Sequence, residues 1–297
     1  MKFRPPALLT ALFLLWITGS SVCGGTLVRF HTVFGDLMVE LFDEEKPVTV
    51  ENFLRYVESG HWTHLFTHRV VPGFIVQAGS FVTSHDPLRG DRIVRIKDFG
   101  PITNEFSKGP RRSNVYGTLA MAKKNGNPDS ATADWFFNLA DNSSELDQVD
   151  GGFTVFGRVI AGTNVLEAFN GFTWRLPLTA QPTNRLYYLG EAGPFNMFPL
   201  PPAFPVLQAL QSVDHVYTNV IHIDVKVLPV EVKALTDRRA GIQWNVVPGI
   251  ANHVEGADTP TGPWTPLSTL LTGPTPQEFI DTDPVVSRRY YRVRVGD

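Results

Sequence analysis

The stretch from Phe66 to Phe81 reads Phe-Thr-His-Arg-Val-Val-Pro-Gly-Phe-Ile-Val-Gln-Ala-Gly-Ser-Phe. Two short runs rich in Val, Ile and Phe flank Pro72-Gly73, a composition that gives strand, turn, strand. It commits the surrounding chain to a β framework. Arg69 falls in the first run and Gln77 in the second. A cation and an amide among apolar residues need partners or water, because burying them unsatisfied is costly. An ordinary hairpin with Arg69 on its wet face accounts for the segment equally well, since half-solvated antiparallel strands alternate in this way.

A second stretch separates these readings. Tyr116-Gly-Thr-Leu-Ala-Met-Ala-Lys123 is followed by Asp129-Ser-Ala-Thr-Ala-Asp-Trp-Phe-Phe-Asn-Leu-Ala-Asp141 and by Phe153-Thr-Val-Phe-Gly-Arg-Val159. Upstream stand Gly35-x-x-x-Val-Glu-Leu-Phe42 and Pro47-Val-Thr-Val-Glu-Asn-Phe53. With Phe-x-His-Arg-x-x-Pro-Gly-Phe-x-x-Gln-x-Gly, these motifs resemble the cyclophilin family of peptidyl-prolyl isomerases. Asp129-Ser-Ala-Thr132 and Leu139-Ala-Asp-Asn142 are similar to the bacterial secreted form. The resemblance runs from Thr26 to Leu228, the size of one domain. Several separated motifs in the right order are far more specific than one short pattern.

The resemblance implies a mainly β fold, a closed eight-stranded antiparallel barrel capped by two helices. It implies Arg69 and Gln77 as the catalytic pair. Phe74, Ile75, Phe137 and Leu146 are then the proline pocket, and Gln77 and the backbone near Ala122 hold the substrate chain. Lys123, Trp135 and Phe153 complete the substrate-binding set. Three positions depart from the commonest family pattern. Trp135 stands where Gln is usual, Phe153 replaces His or Tyr, and Glu145 replaces an aromatic. The last predicts weak affinity for cyclosporin-type ligands. The partners implied are proline-containing polypeptides, with no cofactor and no metal, and a monomer is expected.

Charge and composition exclude other classes. A net charge of -3 gives no reason to expect a polyanion partner. With 43% hydrophobic and 19% charged residues the chain is globular rather than disordered. Its 23 Pro and 25 Gly imply many turns and few long helices. Lys2 and Arg4 precede an apolar run from Ala7 to Thr18, which is too short to span a bilayer comfortably and reads as a secretory signal peptide over 1–24. The sequence therefore predicts an exported protein, periplasmic or extracellular. Cys23 is the only cysteine, so the mature chain is expected to hold itself by packing without an internal disulfide.

Along the chain, Leu27–His31 and Asp36–Phe42 read as strands and Pro47–Ser59 as a helix with Thr49 as N-cap. His61, His64 and His68 have helical spacing, but they follow the helix-ending Gly60 and lead into a strand, where they would not converge on a metal. Val82–Asn104 reads as a long connection. Its Arg89-Gly-Asp91 and the glycan-acceptor pattern Asn142-Ser-Ser144 have no other support. Thr163-Asn164 opens a short helix burying Val165, Leu166 and Phe169. Phe172 to Thr218 is a long proline-rich insertion, read as a loop pinned by its aromatics. Its Pro199-x-x-Pro202 resembles a polyproline ligand. Val220–Val227 is the expected closing strand.

From Val230 onward short strands recur between Pro and Gly signals, which predicts a small β-sandwich over 229–297. It is similar to a fibronectin type III module, and about seventy residues fold alone only marginally. The function implied is isomerisation of X–Pro bonds in exported proteins, assisting folding. Two other readings remain: a module that holds proline-bearing segments with little catalysis, and a surface or matrix protein acting through its C-terminal sandwich.

Overall fold

Alternating residues at the N-terminus form a hairpin. β1 (Leu27–Thr32) and β2 (Gly35–Leu41) pair antiparallel, with Phe30 opposite Leu37 and Val28 opposite Val39. These four side chains lie on one face of the pleat and are buried. The computed structural model describes residues 25–86, 90–174, 185–187, 198–200, 220–228, 230–235, 239–244, 251–259, 262–270, 277–282 and 289–295. The signal-peptide segment lies outside the described residues, as does most of the proline-rich insertion.

The hairpin belongs to an eight-stranded sheet. Its other strands are β3 (Arg69–Val71), β4 (Ile75–Ala78), β7 (Thr118–Met121), β8 (Trp135–Asn138), β9 (Val155–Ala161) and β13 (Ile223–Val227). Their order is β13-β1-β2-β9-β7-β8-β4-β3. The sheet curls around a core that includes Phe30, Val39, Phe53, Val70, Val76, Leu119, Trp135, Phe137 and Phe156. The expected closed barrel is corrected to a curled sheet whose ladder is open between β13 and β3. The two edges meet ahead of β3, where Phe66 forms an isolated bridge with His222. There Thr67 N–H donates to Ile221 O at 2.9 Å and Ile223 N–H to Leu65 O at 2.9 Å.

Helix α1 (Pro47–Glu58) buries Phe53 and Tyr56 against this core. Phe53 meets Trp62 at 5.0 Å and Phe156 at 5.3 Å between ring centroids. Thr49 is not the N-cap; Lys46 occupies that place without a side-chain cap bond. The carboxylate of Glu105 serves instead, accepting from Thr49 N–H at 2.8 Å, Thr49 Oγ1 at 2.7 Å and Val48 N–H at 3.3 Å. A carboxylate suits the unpaired amides and positive end of a helix better than a hydroxyl one turn inside it. A four-residue helix, α2 (Ser143–Leu146), follows β8, and α3 (Thr163–Asn170) buries the expected Val165, Leu166 and Phe169.

The segment read as a long connection contains a hairpin of β5 (Phe81–Asp86) and β6 (Gly90–Arg95). Within the insertion, β10 (Thr173–Trp174), β11 (Arg185–Tyr187) and β12 (Phe198–Leu200) form a three-stranded sheet. Beyond Leu228 lie β14 (Val230–Ala234), β15 (Ala240–Trp244), β16 (Asn252–Ala257), β17 (Thr265–Leu270), β18 (Gln277–Asp281) and β19 (Tyr290–Val295). They make two three-stranded sheets, β14-β15-β18 and β17-β16-β19. Ile242 and Trp244 from the first share one buried cluster with Val254 and Val293 from the second. Among the described residues no helix is long and apolar enough to cross a membrane.

Candidate active site

The β3–β4 turn is built as its sequence dictates. Phe74 N–H donates to Val71 O at 2.9 Å across Pro72-Gly73. Gly73 sits at φ 72. Proline at the first central position and a positive φ at the second define a type II turn. That turn fixes the register, so Arg69 opposes Gln77 and Val70 opposes Val76.

The neighbouring strands extend both rows. Gln77 opposes Phe136, Phe136 opposes Ala120, and Ala120 opposes Val155. Successive side chains on a strand alternate between faces. One face therefore carries Arg69, Gln77, Phe136, Ala120 and Val155 side by side. The other carries Val70, Val76, Phe137 and Leu119, which belong to the inner core.

Phe136 packs outside that core with Ile75, Ala120, Leu146 and Val155, beside the partly buried Phe42, Val71, Phe74, Ala122 and Phe153. This outer cluster is the candidate groove, its floor of Phe136, Ala120 and Val155 buried and its rim of Phe74 and Phe153 partly exposed. Phe74, Ile75, Leu146, Phe153 and Ala122 all join it. Phe137 and Trp135 do not, and both assignments are corrected. Phe137 lies edge-on to Phe30 at 5.1 Å and Trp135 edge-on to Phe30 at 5.2 Å, in the core that the sheet curls around. The aromatic of the groove is Phe136, which the sequence reading passed over. The residue two places before it, on the same face, is Asp134. Burial pushes the Asp134 carboxyl up, and hydrogen bonds from Ser80 oppose that.

Arg69 is half-buried, and burial pulls its pKa down. Among the described residues its guanidinium donates no hydrogen bond and makes no ion pair, so its donors are available at the groove's edge. Ala122 N–H donates to Asp134 O at 2.9 Å, which leaves the Ala122 carbonyl for any backbone grip there. Lys123 does not reach into the groove. Its Nζ donates to the carbonyls of Asp150 at 2.5 Å and Gly152 at 2.7 Å. Glu145 is exposed on the first turn of α2, one residue before Leu146.

The three histidines have separate surroundings. His61 sits 4.6 Å from the Phe99 ring, His64 6.4 Å from His222, and His68 5.2 Å from Phe81. Burial, with Arg69 and then Arg95 nearby, pulls His68 from 6.5 down to about 3. The unfolded chain takes up this proton as pH falls below about 6.5, while the folded chain resists until about 3. Stability from this group is therefore complete above that window and lost through it as pH falls. Urea midpoints should fall between pH 7 and pH 4, and less so in His68→Gln. Equal pH dependence in both proteins would show that the loss comes from other groups.

With the geometry established, the chain's relatives identify its class. The family described as "Cyclophilin type peptidyl-prolyl cis-trans isomerase/CLD" matches residues 27–185. The chain belongs to this family. It is 37% identical over 143 residues to a peptidyl-prolyl cis-trans isomerase of Acinetobacter baylyi, covering 48% of this chain and 70% of that protein. It is 38% identical over 149 residues to peptidyl-prolyl cis-trans isomerase B of Escherichia coli, covering 49% of this chain and 84% of that one. A crystal structure of a Cryptosporidium parvum cyclophilin-type isomerase aligns at a TM-score of 0.42 and 21% identity, covering 68% of this chain and 96% of that chain. The family match stops at Arg185, short of β13, which nevertheless completes the sheet by pairing with β1.

Proposed function

We infer that this chain catalyses cis–trans isomerisation of X–Pro bonds, with Arg69 as the catalytic cation. The outer row Arg69–Gln77–Phe136, set by strand register, carries this reading. Rotating the bond means losing amide resonance, a barrier of roughly 18–20 kcal/mol. Uncatalysed exchange takes tens of seconds or longer. No bond breaks, so the reaction asks only for better binding of the twisted amide than of either planar form. In the twisted state the prolyl nitrogen regains a lone pair, to which a guanidinium donates. Phe136, Ile75 and Leu146 supply an apolar floor for the ring, with Phe74 and Phe153 beside it, and they displace the water that stabilises the planar amide. Gln77 and the Ala122 carbonyl hold the flanking chain. A protease-coupled isomerisation assay on the mature chain tests the reading. Catalysis of a short X–Pro peptide supports it, and peptide binding without acceleration replaces it with a holding module.

The leader-like segment supports clients that are exported proteins met outside the cytoplasm. The residues after Leu228 form a fibronectin III-like sandwich appended to the isomerase. A fragment spanning Thr26–Leu228 should fold and keep its activity within about twofold, since separate cores behave independently. An insoluble or inactive fragment would mean that the sandwich completes the site.

Glu145 governs cyclosporin-type ligands in this reading. An exposed glutamate offers no apolar wall beside Leu146, where an aromatic contact would contribute on the order of 1–3 kcal/mol. Glu145→Trp should tighten cyclosporin binding by at least about tenfold, each 1.4 kcal/mol being one decade. Calorimetry on both proteins decides it. Tight binding before the substitution, or no gain after it, would place the wall elsewhere.

A further inference from the structure

The turn carrying Phe153 is latched from three sides. Its main chain is held by Phe153 N–H donating to Leu146 O at 2.9 Å and by Asn114 Nδ2 donating to Phe153 O at 3.0 Å. Its ring meets Phe136 near edge-on, with centroids 5.9 Å apart. Above the ring face lies the Nζ of Lys123, 4.6 Å from the centroid. The same ammonium donates to Asp150 O at 2.5 Å and Gly152 O at 2.7 Å. Gly152 O also accepts from Asn104 Nδ2 at 2.8 Å, and Asp150 Oδ2 accepts from Gly126 N–H at 2.9 Å.

The turn closes on itself with a single bond, Gly152 N–H to Val149 O at 2.9 Å, and the contacts with Lys123, Asn104 and Gly126 supply the rest of its hold. Asp150 has φ 52, a left-handed backbone that a non-glycine residue keeps only when its surroundings enforce it. Gly152 has φ 80, and a Cβ there would lie 2.2 Å from the Phe106 ring, so the turn cannot retreat that way. Charge-assisted hydrogen bonds are about twice as strong as neutral ones, and a cation over a ring face adds attraction.

We propose that Lys123 is a positioning residue, latching the 150–152 turn and covering Phe153 so that its ring stands as an end wall of the groove. This rests on the groove being where the proline-bearing chain binds. Lys123 touches neither the reacting amide nor the inner core. Without it, two carbonyls lose their charged donor and the ring loses its cover, while the Phe153 main chain stays tied to Leu146 and Asn114.

The test is a kinetic double-mutant cycle on the full chain with a short X–Pro peptide. Lys123→Met should raise KM about fivefold with kcat within about twofold, which marks lost binding rather than lost transition-state stabilisation. Lys123→Arg should restore at least half of that loss on a logarithmic scale. Phe153→Ala should raise KM about tenfold, and Lys123→Met should add less than about twofold in that background, because coupled residues are not additive. The aromatic NMR signals of Phe153 should broaden in Lys123→Met. Additive effects would show that Lys123 acts apart from Phe153. A fall in kcat at constant KM, or an unfolded Lys123→Met, would overturn positioning in favour of a transition-state or structural role. Broadened Phe153 signals with an unchanged KM in Phe153→Ala would uphold the latch and sink the groove reading instead.

Discussion

Arg69→Ala should lower kcat/KM about 100-fold, comparable to removing one oriented donor from other active sites. The argument rests on where the side chain lies. Arg69 shares the outer face with Gln77 and Phe136, while its neighbour Val70 packs inward, so the substitution removes a cation without opening the core. Its guanidinium is half-buried and so partly stripped of water, which pulls its pKa down. A desolvated cation interacts more strongly with a developing lone pair than a hydrated one does. The melting temperature should change by no more than about 2 °C, since the residue makes no hydrogen bond or ion pair among the described residues. Arg69→Lys should recover less than about tenfold of the loss, because an ammonium is a point charge without the planar fork. Steady-state assays and scanning calorimetry on the three proteins suffice, and near-full activity in Arg69→Ala would remove the guanidinium from the mechanism.

Much of this site is legible in the residues, because short-range chemistry fixes it. Pro72-Gly73 sets the turn, the turn sets the Arg69–Gln77 register, and alternation sets the face. The parts that sequence misplaces depend on the far side of a pairing. Trp135, Phe136 and Phe137 are three consecutive aromatics, so no polar residue among them marks which parity faces the core. Only the partner strand decides it, by setting Phe136 beside Gln77 and Phe137 beside Val76. Glu105 caps α1 from 56 residues away and Lys123 reaches the carbonyl of Asp150 27 residues on, distances no local pattern reports. The β5–β6 hairpin was readable in principle, since Phe81-Val-Thr and Arg92-Ile-Val-Arg95 are strand-like, but Asp86-Pro87 and Arg89-Gly90 between them signal a loop. Beyond Leu228 the strands of the two small sheets are legible because they are short, alternating and punctuated by Pro and Gly.

The Phe136–Phe137 pair offers the sharpest separation of site from scaffold. Phe137→Ala should destabilise the fold by about 3–5 kcal/mol, the usual cost of removing a buried phenylalanine and leaving a cavity. Its ring is enclosed by Phe30 and Trp135 at 5.1 Å and 5.6 Å, with Val76 and Leu119 opposite it on the adjoining strands, so nothing nearby can move in without disturbing the core. For a domain of this size the loss corresponds to roughly 10 °C in Tm. KM of the protein that remains folded should stay within about twofold, since the ring faces away from the groove. Phe136→Ala should do the opposite. It removes the aromatic between Gln77 and Ala120, and a lost apolar contact of about 1.4 kcal/mol or more raises KM at least about tenfold. Its stability cost should be smaller, because the half-exposed Phe74 and Phe153 beside it can relax into the vacated space. Urea unfolding and steady-state kinetics on the two variants give four numbers. If Phe137→Ala raised KM while Phe136→Ala mainly lowered stability, the two rows of the sheet would be exchanged, and Arg69 and Gln77 would lose the groove floor that makes them a site.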